Sequence, residues 1–158
     1  FVVGKAVGFF DDFFLVQKVS PRGEWDGFGL YPNSDLVAVS QDAEYLGMLA
    51  RLLERKNQTP PPVPKLAETG LKTVLTHGME HNRMVGLELY KSGNQDVVGY
   101  VLAQSNLCVC LRQVGPFGEA DGVCYVKTSA ITRVYLEDGD LLCLELLSQD
   151  ADGSASGT

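Results

Sequence analysis

The chain has 158 residues, 45% of them hydrophobic and 21% charged, a balance that argues against disorder and allows one ordinary domain or two very small ones. Its net charge of −7 is spread as −3 over residues 1–52, +2 over 53–95, −4 over 96–147 and −2 over 148–158, so general nucleic-acid binding is disfavoured. No run approaches the ~18 apolar residues of a membrane span and no signal peptide is visible, so no membrane role is expected; the four cysteines, with no pairing or metal spacing, fit a reducing, cytoplasmic setting.

An ungapped internal repeat organises the sequence. Residues 1–52 align with 96–147 at an offset of 95, with 14 identities in 52 positions. Val2-Val3-Gly4 meets Val97-Val98-Gly99. Val19-Ser20-Pro21-Arg22-Gly23-Glu24-Trp25-Asp26-Gly27 meets Val114-Gly115-Pro116-Phe117-Gly118-Glu119-Ala120-Asp121-Gly122. Leu46, Leu49 and Leu52 meet Leu141, Leu144 and Leu147. Two copies are too few for a solenoid, which points to tandem duplication of a small domain.

In chain order, the opening Phe1-Val2-Val3-Gly4 reads as the middle of a strand. Strands are expected near Val2–Gly8, Phe13–Val19, Gly27–Tyr31 and Leu36–Ser40. Asp42 is placed to cap a helix with the stripe Leu46, Leu49 and Leu53 and basic Arg51, Arg55 and Lys56 near its end. Thr59-Pro60-Pro61-Pro62-Val63-Pro64 stops that helix and makes a stiff spacer. A second helix is predicted from about Leu66 to His81. Strands then follow at Met84–Tyr90, Val97–Ala103, Leu107–Val114, Gly122–Lys127 and Ile131–Leu136, the spacing of a small closed barrel. The first copy has no partner for Met84–Tyr90, so its first strand is expected to lie upstream. Asp150–Thr158 is small and polar and is expected to be a flexible tail.

A helix followed by five short strands, with a glycine early in the second, resembles the Sm-like family, which includes bacterial Hfq. Gly4-Lys5-Ala6-Val7-Gly8-Phe9-Phe10-Asp11-Asp12-Phe13-Phe14-Leu15-Val16 is similar to its first motif. Tyr125-Val126-Lys127-Thr128-Ser129-Ala130-Ile131-Thr132-Arg133-Val134 is similar to the last two strands of Hfq-type proteins. The resemblance implies a mainly β fold with short helices, built as two tandem Sm-like (SH3-like) five-stranded β-barrels. The first barrel, 1–52, lacks its first strand and ends in a helix; 53–65 is a Pro-rich linker; 66–147 is the second barrel with a leading helix; 148–158 is the tail. It also implies rings formed through open strand edges, and RNA binding. The base-reading residues do not carry over: Phe14 and Leu15 stand where the first-motif asparagine is expected, and Thr128 follows Lys127 where Hfq has a histidine.

Three constellations bear on chemistry. His77-Gly78-Met79-Glu80-His81 matches H-x-x-E-H, in which histidines four apart on a helix hold zinc beside a glutamate base. Gly78 and the position at a helix end favour two solvent-facing histidines instead. Cys108, Cys110, Cys124 and Cys143 have no C-x-x-C spacing, and their repeat partners are Phe13, Leu15, Gly29 and Met48, so they are expected to be small buried hydrophobes, with Cys108 and Cys110 facing inward. The shared P-x-G-E-x-D-G loop reads first as turn chemistry. As a partner site it would offer Glu24, Trp25 and Asp26 in one copy and Glu119 and Asp121 in the other.

The reading that follows is a non-enzymatic protein without cofactor, acting by self-assembly or contact with another protein. The alternatives are single-stranded RNA binding along Lys5, Lys18, Arg112, Lys127 and Arg133, and a zinc-dependent hydrolase using His77, Glu80 and His81.

Overall fold

The computed structural model describes residues 1–67 and 69–155, the last six by their backbone alone. The first copy forms β1 (Gly4–Phe9), β2 (Phe13–Val19) and β3 (Trp25–Pro32), then helix α1 (Glu44–Arg55). Helix α2 (Gly70–Glu80) leads into β4 (Met84–Leu89), β5 (Val97–Gln104), β6 (Cys108–Val114), β7 (Ala120–Lys127) and β8 (Ile131–Leu136), and α3 (Gly139–Ala155) closes the chain. The fold is mainly β, and no helix among the described residues is long and apolar enough to cross a membrane.

All eight strands join one antiparallel sheet in the order β1-β2-β3-β8-β4-β5-β6-β7. The sheet is not closed. Closing the second copy on itself would need β7 against β8, but β8 already pairs with β4 on one edge and β3 on the other. The copies are therefore joined through Phe28↔Leu136, Gly29↔Tyr135 and Leu30↔Val134, and β1 and β7 are left as edges. Leu36–Ser40, expected to be a strand, is an exposed segment outside the sheet, with no strand beside it to pair with.

Helix α2 covers the joint face. Its Val74 and Leu75 pack with Leu15, Phe28 and Leu30 of the first copy and with Val85, Leu87, Val109, Leu111, Val134 and Leu136 of the second. Thr69 caps it by accepting the Lys72 N–H, so the helix begins four residues later than the apolar pattern predicts. Helix α1 begins at Glu44 with Ala43 before it and no side-chain cap; Asp42, the expected cap, sits at φ 54°. Helix α3 has no counterpart among the predicted elements; its backbone runs into the segment expected to be a tail as far as Ala155, and 156–158 lie outside the described residues. Its Leu141 packs on Met84, Tyr100 and Val114, and Glu145 accepts the Met84 N–H at 2.8 Å.

The P-x-G-E-x-D-G loops have the same backbone in both copies. Ser20 donates to Glu24 O and Gly23 to Ser20 O, as Gly115 does to Glu119 O and Gly118 to Gly115 O. Gly23 (φ 67°) seats Leu52 of α1, and Gly118 (φ 84°) seats Leu147 of α3; a Cβ at either would overlap that leucine. The loop is thus a turn that receives the following helix.

Candidate interaction site

The clearest surface feature comes from comparing equivalent residues in the two copies. On β2 and β3, Leu15, Phe28 and Leu30 are completely buried, because β8, β4 and α2 cover that face. Their counterparts on β6 and β7 are Cys110, Val123 and Tyr125. No helix or strand among the described residues encloses these: Val123 is 55% exposed, Tyr125 is 73% exposed and Cys110 is half-buried. Leu102 on β5 widens the apolar surface. Cys108 and Cys110 therefore do not face inward as expected. Val109 and Leu111 point to the core, and alternation along the strand turns both thiols to the other face. Cys124 is half-buried against the core and Cys143 is exposed.

The edge beside this patch is unguarded. Between Asp121 and Lys127, β7 runs Gly122-Val123-Cys124-Tyr125-Val126 with no charge to deter pairing. Gly27 and Gly122 show the difference directly. Both have positive φ, 63° and 76°. A Cβ on Gly27 would overlap the Leu136 carbonyl oxygen of β8, whereas one on Gly122 would meet nothing within 4 Å. Urea unfolding is expected to show Gly27→Ala severely destabilised, and Gly122→Ala losing only about 1–2 kcal/mol of backbone strain. Equal losses would mean that the two edges are not differently covered.

The junction between the copies also has an ionic side. Arg133 reaches Glu88 at 3.0 Å and Asp35 at 2.6 Å, and Lys91 meets Asp35 at 3.1 Å. Thr132 donates to Glu88 at 3.1 Å, and the Tyr135 hydroxyl does so at 3.4 Å. The Arg133 hydrogen bond holds the Asp35 carboxyl below its usual range and raises Arg133 in turn. Burial pushes up the Tyr31 and Tyr135 phenols alongside. Lys18 lies 3.2 Å from Asp26 and 3.8 Å from Asp138, and Asp26 also accepts the Gly139 N–H at the start of α3.

These contacts place most of the residues singled out from sequence. Asp26 is part of the junction. Glu24 pairs with Lys56 at 2.7 Å, whose hydrogen bond lowers its pKa. Trp25 is half-buried with its indole N–H enclosed, not an exposed anchor. Glu119 accepts the Phe117 N–H, and Asp121 accepts from Gln113. Of the basic residues, Lys18 and Arg133 are engaged with carboxylates and Arg112 stacks on Tyr100 at 4.6 Å. Lys5 and Lys127 stand on opposite edge strands, so the five do not form one track. None of the five lines the groove of about 600 Å³ between the β1–β2 and β5–β6 turns, where Asp11 and Asp12 face Ser105, Asn106 and Lys72.

His77 and His81 stack at 4.2 Å at the end of α2. Burial, then the charge of His81, lowers the His77 pKa, and Glu137 lies 3.9 Å away. The described residues contain no group of three or more His, Cys, Asp or Glu able to hold a metal ion, so the H-x-x-E-H pair has no third ligand there. The exposed patch escaped the sequence reading because Cys110, Val123 and Tyr125 look like core residues; the repeat partner of each is one. Comparison with protein-family models, curated proteins and solved structures gives no match.

Proposed function

We propose that the chain is a tandem of Sm-like units that works without catalysis, by self-assembly. The β7 edge of one molecule pairs with residues 36–41 of a second. The observation that supports this is the junction inside the chain, where β3 pairs with β8 and buries Phe28 and Leu30. The repeat relates β3 to β7 and Ile131–Leu136 to Leu36–Gln41. Both of those counterparts are uncovered: β7 as an edge, and the segment as an exposed run in which Val37 is 94% and Val39 is 69% accessible.

Transferring the register sets Tyr125 opposite Val39, Cys124 opposite Ser40 and Val123 opposite Gln41. Asp121, the counterpart of Asp26, would then reach the uncapped start of α1 at Glu44, as Asp26 reaches Gly139. The ionic lock is not repeated, because Ala130 and Ala38 stand for Asp35 and Arg133. The outer junction is consequently weaker than the inner one and reversible. A contact between two different surfaces propagates into a ring or a filament.

Light scattering and sedimentation test this directly. Wild type is expected to associate with rising concentration, and Tyr125→Asp and Val39→Asp are each expected to remain monomeric. Mixing the two variants leaves one intact surface on each, so a 1:1 dimer that grows no further is expected. Gly122→Ala, which a neighbouring strand would clash with, is expected to fold but not associate. A wild type that stays monomeric would remove the proposal, and association surviving Val39→Asp would reassign the edge to another partner strand.

A further inference from the structure

The linker between α1 and α2 is held against the first copy. Lys56 pairs with Glu24, and the Trp25 backbone N–H donates to Gln58 Oε1 at 3.4 Å. Gln17, only 3% exposed, donates from Nε2 to the Pro61 carbonyl at 2.8 Å. Pro64 is buried, and Leu66 reaches Gly8. Four of the five residues 60–64 are proline. Without N–H groups, Pro60-Pro61-Pro62 cannot join the β1 edge as a strand, so a buried side-chain amide meets a carbonyl instead.

That arrangement is the chemistry of proline-rich recognition. A stiff extended segment loses little entropy on docking, and donors on the receptor read its carbonyls. The features belong to the first copy alone, since Gln17 and Trp25 have Arg112 and Ala120 as counterparts. Trp25, whose backbone N–H meets Gln58 of the linker, has an enclosed indole N–H with no acceptor among the described residues. The preceding helix also holds the linker lightly, since Leu49 is its only fully buried residue. We propose that the face of β1–β3 beneath residues 56–67 is a recognition groove for extended proline-rich peptides, filled in cis by the chain's own linker. A partner peptide whose carbonyl reaches Trp25 Nε1 displaces it. This surface is separate from the β7 edge and does not depend on assembly.

Trp25 is the chain's one tryptophan, so its emission reports on the groove. In the full chain, changing Pro60, Pro61, Pro62 and Pro64 to serine is expected to red-shift that emission with an unchanged far-UV spectrum. A synthetic peptide of residues 56–67 is expected to reverse the shift saturably, whereas the same peptide with serine for proline is not. Gln17→Met in the serine-linker chain is expected to weaken peptide binding about tenfold, the loss of one hydrogen bond. Wild type is expected to respond more weakly, because its tethered linker competes at high effective concentration. Emission unmoved by the proline changes, or equal reversal by the two peptides, would overturn the proposal. Should Gln17→Met not fold, the serine-linker chain and the two peptides decide the question without it.

Discussion

Arg133→Met is expected to cost about 3–5 kcal/mol in urea unfolding, because it strands a carboxylate that has no access to water. Glu88 is fully buried, with Arg133 at 3.0 Å and hydroxyls of Thr132 and Tyr135 around it. Asp35 contributes less, since Lys91 remains beside it and the site is partly open. Glu88→Leu in the same chain is expected to recover most of the loss, since removing both charges restores a neutral interior. A double variant as unstable as Arg133→Met would show that shape, not charge, holds the junction. The pH dependence has a definite sign. Asp35 is depressed by its Arg133 hydrogen bond, so its contribution is full above the unfolded value of roughly 4 and is lost as pH falls through the lower folded value. Acid titration of wild type is therefore expected to show a loss below about pH 4 that Asp35→Asn lacks.

Phe28→Ala is the second large effect, expected at about 3–5 kcal/mol. Phe28 lies within the core shared by the two copies, paired on the sheet with Leu136 and wholly excluded from solvent. Truncating it leaves a cavity at the seam, which neither copy can collapse into without breaking the β3–β8 pairing. The informative control is its repeat counterpart. Val123→Ala, on an exposed edge, is expected to stay within about 0.5 kcal/mol in the monomer. Because Val123 falls at the proposed contact, the same substitution is expected to weaken self-association while leaving monomer stability alone. Matched losses in the two variants would contradict the asymmetry between the copies.

Much of the local structure was legible before any coordinates. Ile131–Leu136 and Phe13–Val19 are strands with the predicted bounds, six further predicted strands differ at the ends by a few residues, and Leu36–Ser40 is not a strand. Alternating apolar residues and Gly or Pro turns specify such segments locally. The repeat also carries the signal for α3: Leu141, Leu144 and Leu147 match the leucines of α1. Asp138, whose Oδ1 accepts the Leu141 N–H, is the cap at the start of α3.

Length and charge left open one domain or two. The sequence by itself determined that residues 1–52 and 96–147 share one pattern, where eight of the strands fall to within a few residues, and that the acidic charge is carried by those two segments, not by the one between them. Only the tertiary structure decided how they join. Strand pairing is a contest for edges between distant segments, and local pattern is the same whichever edge wins. Here β3 takes the edge of β8 that the second copy would need to close upon itself. That single pairing makes one open sheet, buries Leu15, Phe28 and Leu30, and leaves Cys110, Val123 and Tyr125 on the surface. Residues that align in the repeat and share its periodicity thus end as core in one copy and as an exposed face in the other.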